Sequence, residues 1–115
     1  MIAEGHTVLF RFPQTDQLEG KLRPALVIRR MPGQYDDWLV CMISSRLEQE
    51  ITGFDEVVRP GEADFEKSGL KVGSLLRIAR LAVVNVNILA GRIGEIDGAR
   101  LLRIKRKLAD WLMEG

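Results

Sequence analysis

Arg23 and Ser44, in the amino-terminal half of the chain, have the side-chain types and the placement to act together on a phosphate group. Arg23 stands directly before Pro24 and an apolar run, so its guanidinium group is held where a loop meets a predicted strand. Ser44 offers a hydroxyl donor at the end of another apolar run. If these strands are antiparallel neighbours joined by the turn at 31–37, the start of one lies beside the end of the other. Arg23 and Ser44 would then meet at one edge.

A cation and a hydroxyl that converge on one phosphate could support RNA cleavage without a metal. RNA carries its own nucleophile, the 2′-hydroxyl, so a protein needs to orient the attack, neutralise the phosphorane and assist proton transfer. The sequence has one histidine (His6) and one cysteine (Cys41), too few for a usual zinc site, and it has no glycine-rich phosphate loop. We expect no metal and no cofactor. Taken alone, the pattern also fits a surface arginine and a serine that caps a turn.

The composition is that of one globular domain, which we expect to span residues 1–115. Hydrophobic residues make up 46% and charged residues 29%, which argues against disorder. The net charge is +1, so an anion site would have to come from local clustering. One cysteine excludes an intrachain disulfide and is typical of a reducing compartment, and the apolar runs are too short to span a bilayer. We therefore expect a cytoplasmic protein without a membrane segment.

The elements that would position these residues are strands followed by one helix. Apolar patterns predict strands at residues 8–12, 25–29, 38–43, 57–58, 74–85 and 92–96, with a polar loop at 13–22. A helix is predicted over about 97–113, with Asp97 as its N-cap and with apolar residues at helical spacing: Leu101, Ile104, Leu108 and Leu112. This order predicts a mainly β fold (α+β). We expect a small, strongly bent antiparallel sheet or partly open barrel of about five to seven strands, covered by the carboxyl-terminal helix.

Several segments, in this order and spacing, resemble the PemK/MazF-like family, the small endoribonuclease toxins of type II toxin–antitoxin pairs. The segments are Gly5, Phe12-Pro13, Thr15-Asp16, Arg23-Pro24-Ala25-Leu26-Val27-Ile28, Ile43-Ser44-Ser45, Gly69-Leu70, Ser74 and Gly91-Arg92-Ile93-Gly94. They cover most of the chain, and their order is more specific than any single motif. The resemblance implies an SH3-like barrel and a metal-independent endoribonuclease that cleaves single-stranded RNA at a short specific sequence. It also implies a homodimer and a cognate antitoxin.

The resemblance further implies roles for individual residues. In the family an arginine directly before the proline of the second strand is catalytic, and Arg23 occupies that place. The second catalytic residue is a threonine or serine after the third strand, which corresponds to Ser44. We expect RNA contacts at residues near these two or on the long strand: Thr15, Asp16, Lys21, Ser45, Arg46 and Arg77.

The chain departs from the family in its long strand. Ala79 replaces an acid of some members, and Ala82-Val83 replaces an arginine–threonine pair. The general base is therefore open, because the guanidinium of Arg23 is always charged and suits charge stabilisation or proton donation instead. His6, which stands where members often have an acid, is either a site residue or a loop histidine. Two other functions stay open: a degenerate member that binds nucleic acid or antitoxin without cutting, and a gyrase poison on the same fold.

Overall fold

The strands predicted from apolar patterning form one antiparallel sheet. The computed structural model describes residues 1–11 and 22–114. Within these ranges the strands are β1 (His6–Arg11), β2 (Leu22–Arg30), β3 (Asp37–Ser44), β4 (Glu56–Val58), β5 (Ser74–Asn85) and β6 (Leu89–Glu95), and helix α1 spans Gly98–Met113. The strand order is β4-β5-β3-β2-β1-β6, and all five neighbouring pairs are antiparallel. The predicted mainly β fold with a carboxyl-terminal helix is confirmed.

The sheet has an apolar core on each face, because β2 and β3 are buried on both sides. Leu26 and Cys41 belong to the core that includes Ile104 of α1, whereas Ala25 and Val27 belong to the other core. Successive side chains of a strand point to opposite faces, which accounts for the division. Residues Ala25 to Ile28 are all buried, as their continuous apolar sequence predicts.

Helix α1 buries a stripe that is displaced from the predicted one. Ile104 and Leu108 are buried as expected, but Leu112 is 70% exposed and the prediction for it is wrong. The stripe instead includes Arg100, which stands one residue before Leu101 and is 7% exposed. Carboxylates around β4 neutralise Arg100, so the first turn of α1 lies on the sheet in place of the last. Among the described residues, no helix is long and apolar enough to cross a membrane.

The pairing of strand β5 with β3 is irregular near the middle of β5. Met42 pairs with Arg77 while the adjacent Cys41 pairs with Leu81, so residues 78–80 lie between consecutive partners. Irregular pairing of this kind bends a strand and redirects its side chains. Beyond this irregularity β5 continues along β3, whereas its pairing with β4 has already ended.

Two glycines, far apart in sequence, allow the segment before β5 to contact β6 through backbone atoms. Gly69 has φ +73°, and a Cβ there would lie 2.1 Å from the Ile93 carbonyl oxygen. A Cβ on Gly94 would lie 2.2 Å from the Lys67 carbonyl oxygen. Thr7 Oγ1 fixes the same contact by donating to the Ser68 carbonyl at 2.6 Å. The segments Gly69-Leu70 and Gly91-Arg92-Ile93-Gly94 therefore contact each other in the structure.

We expect Gly94→Ala to lower the free energy of unfolding by at least about 1–3 kcal/mol, because the new methyl group overlaps backbone that has no room to move. Gly91→Ala is the matched control, since a Cβ at Gly91 has no atom within 4 Å. Urea unfolding of the two variants measures the difference. Equal stability of the two would contradict this account of the contact.

Candidate functional site

Arg23 and Ser44 lie on neighbouring antiparallel strands, as the sequence predicts. β2 and β3 are connected through the predicted turn, which the Met31 N–H closes by donating to the Asp37 carbonyl at 2.8 Å. Ala25 is paired with Met42, and this register continued by two residues places Arg23 opposite Ser44. Because residues two apart in a strand share a face, both side chains lie on the face of Ala25 and Met42. Side chains directly opposite in this way are in contact range.

Arg77 lies on the same face, one strand further along the sheet. It pairs with Met42 across β3 and β5, so it is diagonal to Ser44, which pairs with Leu75. Diagonal neighbours are ~7–8 Å apart, within reach of an arginine side chain. In the part of the chain that the structure describes, the guanidinium groups of Arg23 and Arg77 have no hydrogen bond or ion pair with protein groups. Both cations are thus available to an anionic ligand.

Ser44 is held in place by a turn that leaves its proton available. Its Oγ accepts a hydrogen bond from the Arg46 backbone N–H at 3.0 Å, the turn-capping contact that the sequence also allows. A hydroxyl has two acceptor positions and one donor, so the Ser44 O–H is still able to donate. Capping therefore fixes the oxygen next to Arg23 without preventing contact with a phosphate.

A buried carboxylate that sequence analysis missed connects the segment after Ser44 to the strand of Arg77. Asp55 is 4% exposed, and its two oxygens accept from Ile51 N at 2.8 Å and from Ile78 N at 3.0 Å. Ile78 follows Arg77 directly, at the bend of β5. Asp55 therefore fixes the spacing between the two sides of the site. The one feature of the sequence that could have indicated this role is an acidic residue between Phe54 and the short strand predicted at 57–58.

The remaining predicted site residues divide into three groups. Ser45 and Arg46 are exposed immediately after Ser44, where they border the site. Three residues fall outside the described ranges: Thr15, Asp16 and Lys21. His6 is separated from the site, since Arg23 is paired with Phe10, four residues or ~13 Å further along β1.

His6 and Cys41 have environments that suit structural roles. Nδ1 of His6 accepts from the Ala3 backbone N–H at 3.1 Å, and burial, followed by the charge of Arg92, lowers the pKa of His6. Cys41 is buried in the core on the helix side, and burial raises the pKa of its thiol to about 12. A thiol in that state is a poor nucleophile.

The comparisons with known proteins agree with the resemblance noted in the sequence. A family model described as "PemK-like, MazF-like toxin of type II toxin-antitoxin system" matches residues 3–112. A solved structure, "Crystal structure of MazE-MazF (Form-II) from Deinococcus radiodurans", is similar with a TM-score of 0.70 over 99% of each chain. Its sequence identity is 24%, so it shows a common fold. No curated protein matches significantly. Because the family model spans nearly the whole sequence, this chain belongs to the PemK-like, MazF-like toxins of type II toxin–antitoxin systems.

Proposed function

We propose that this protein is a cytoplasmic toxin that cleaves single-stranded RNA at a short specific sequence, without a metal. The observation that carries the proposal is the placement of Arg23 opposite Ser44, with Arg77 diagonal to them on the same face. Membership of a toxin family supports the reaction class. The absence of protein partners for both guanidinium groups, among the described residues, supports an anionic substrate.

In the proposed reaction the 2′-oxygen of RNA attacks the adjacent phosphorus. A bond forms between the 2′-oxygen and phosphorus, the bond from phosphorus to the 5′-oxygen breaks, and the products carry a 2′,3′-cyclic phosphate and a 5′-hydroxyl. Arg23 stabilises the charge of the phosphorane, and Ser44 donates to a non-bridging oxygen. Arg77 adds a second positive charge. The proton of the 2′-hydroxyl leaves to a base other than these arginines, since a guanidinium stays charged in proteins, and a proton from water completes the 5′-hydroxyl.

The test is cleavage of a long single-stranded RNA by purified protein in excess chelator. We expect cuts at a recurrent short sequence, with 5′-hydroxyl ends, and we expect Arg23→Ala to abolish them. If Arg23→Ala, purified in the same way, does not cut the RNA, the cleavage by the parent protein does not come from a contaminating nuclease. No cleavage by either protein would overturn the proposal in favour of a member that binds without cutting or that poisons gyrase. Cleavage that requires added Mg²⁺ would overturn the metal-independent mechanism.

The Ser44 hydroxyl is expected to matter more than the size of its side chain. Ser44→Ala should lower the cleavage rate about 100-fold, the effect of losing one donor to a developing oxyanion. Ser44→Thr keeps the hydroxyl and should retain most activity. Ser45→Ala is the matched control, because it makes the same change one residue away, at an expected RNA contact that is not catalytic, and it should lower RNA affinity more than the rate at saturating RNA. Single-turnover rates compare the three, and equal losses in Ser44→Ala and Ser45→Ala would contradict the assignment.

We further propose two protein partners for this chain, an antitoxin and a second copy of itself. The similar Deinococcus radiodurans structure is a complex of MazE with MazF, which supports an antitoxin partner here. A homodimer would bring the exposed residues beside Ser44 of two subunits to one RNA.

A further inference from the structure

The irregular pairing of β5 leaves Ile78 without a paired residue on a neighbouring strand, and a side chain takes that place. Ile78 lies between consecutive partners of β3, and β4 pairs with β5 only as far as Leu76. The Ile78 backbone N–H donates instead to Oδ1 of Asp55 at 3.0 Å. Ile78 is 0% exposed, and a buried N–H without a partner is costly. The carboxylate of Asp55 therefore stabilises the irregularity.

The other oxygen of Asp55 closes the segment that follows the end of β3, residues 46–55. Oδ2 accepts from the Ile51 backbone N–H at 2.8 Å, and the Ile51 carbonyl accepts from the Asp55 backbone N–H at 2.9 Å. The two residues are thus bonded through both side chain and backbone. Among the described residues, the bond from Ile78 to Asp55 is the only hydrogen bond that joins residues 46–55 to β5. One buried carboxylate therefore connects the segment to the strand.

The backbone of Arg77 is restricted by this bond, because Arg77 supplies half of the peptide group involved. The N–H that Asp55 holds belongs to the planar group between Arg77 and Ile78. A fixed plane restricts the direction in which the Arg77 side chain leaves β5. Among the described residues the Arg77 guanidinium has no hydrogen bond or ion pair with protein groups. Its direction is therefore set by its backbone and not by partners of its own.

We propose that Asp55 is a positioning residue for RNA cleavage, which holds Arg77 and the segment 46–55 in one arrangement before RNA binds. This role rests on the proposed ribonuclease function and adds a residue to it. Asp55 is 4% exposed, so it acts through the two segments that it joins and not by touching RNA. Groups that are fixed in advance stabilise developing charge without having to reorganise during the reaction.

The first test removes one oxygen of the carboxylate. Asp55→Asn keeps the size of the side chain, but each N–H is bonded to a different oxygen and an amide has only one, so one bond is lost. The single-turnover rate at saturating RNA should fall about tenfold or more, because a small misplacement can cost ~100-fold. The RNA concentration at half-saturation should change less than about threefold, since every cation that attracts RNA is retained.

Asp64→Asn is the matched control for a purely structural effect. Asp64 is also buried, at 2% exposed, and it also accepts from a backbone N–H, that of Asp97 at 3.1 Å. Its side-chain partners, however, lie at the start of α1. Asp64→Asn should unfold at lower urea without a lower cleavage rate of the folded protein. An unchanged rate in Asp55→Asn, or equal losses of rate in the two variants, would overturn the positioning role.

The second test shows whether Asp55 acts through Arg77. The loss of rate caused by Arg77→Ala should be at least about threefold smaller in Asp55→Asn than in the parent protein, because effects of residues that act together are not additive. Arg23→Ala, on β2, should cause the same loss in both backgrounds. Asp55→Glu keeps both acceptor oxygens and moves them by one methylene group, so it gives the same comparison if Asp55→Asn does not fold.

The outcomes separate this proposal from the one on which it rests. If the parent protein cuts RNA and Arg77→Ala causes equal losses in both backgrounds, Asp55 only stabilises the fold, and the positioning role is wrong while the ribonuclease function stands. A parent protein that does not cut RNA overturns both proposals.

Discussion

Replacing Arg23 with alanine should lower the single-turnover rate of RNA cleavage by about a thousandfold. The guanidinium is exposed at the start of β2, opposite Ser44, and it has no partner among the described protein groups. Its charge is therefore directed at the phosphate, and preorganised groups that stabilise developing charge typically contribute 10²–10³-fold each. Arg23→Lys should recover only part of the rate, because an ammonium group cannot hold two phosphate oxygens as a planar fork does.

Arg29→Ala is the matched control for this prediction. Arg29 is also an exposed arginine of β2, but it lies six residues or about 20 Å further along the strand. Both variants lose one positive charge, so general attraction of RNA to the protein falls equally in both. Arg77→Ala should fall between them, since Arg77 is diagonal to Ser44. If Arg29→Ala and Arg23→Ala reduce the rate to the same extent, Arg23 contributes only general attraction and the mechanism is wrong.

The sequence predicted the arrangement of Arg23 and Ser44 because the information is local. A continuous apolar run, a turn containing Pro32-Gly33 and a second apolar run define two antiparallel strands, and antiparallel pairing brings one start beside the other end. The bounds of β5 were also predicted at Ser74 and Asn85, since apolar residues recur throughout the segment without glycine or proline. The bend at 78–80 was not predicted, because the buried carboxylate at its side belongs to a distant segment, at Asp55.

Arg100 is a second residue whose environment could not be predicted from the neighbouring sequence. Its place among other basic residues of the helix predicts a solvated side chain, yet all of its donor groups are bonded inside the protein. The acceptors come from Glu56, Val57, Glu62 and Asp64, which lie 36 to 44 positions away in the sequence. Helical periodicity reports only on residues of the same helix. A contact with a segment that is distant in the sequence leaves no pattern within the helix that could predict it.

Replacing Arg100 with methionine should lower the free energy of unfolding at pH 7 by about 3–5 kcal/mol, the cost of removing one partner from a buried ion pair. Asp64 would keep its burial, at 2% exposed, and lose the bonds from Arg100 at 2.8 and 3.0 Å. Arg103→Met is the matched control. Arg103 also bonds Glu56, at 3.0 Å, but its side chain is 53% exposed, so its loss should cost no more than about 1 kcal/mol.

The pH dependence of this loss identifies its cause. Burial alone would raise the pKa values of Asp64 and Glu56, but hydrogen bonds from Arg100 to Asp64, and from Arg103 and Lys107 to Glu56, lower them below their ordinary values. Their contribution to stability is therefore present above pH ~4–5 and is lost as the pH falls through the folded-state values. In Arg100→Met, burial is no longer offset at Asp64, so its pKa should rise, and protonation should relieve the unpaired charge. Urea unfolding at pH 7 and pH 3 should show the gap between parent and variant narrowing in acid, and a gap that stays constant would mean that lost packing, not charge, destabilises the variant.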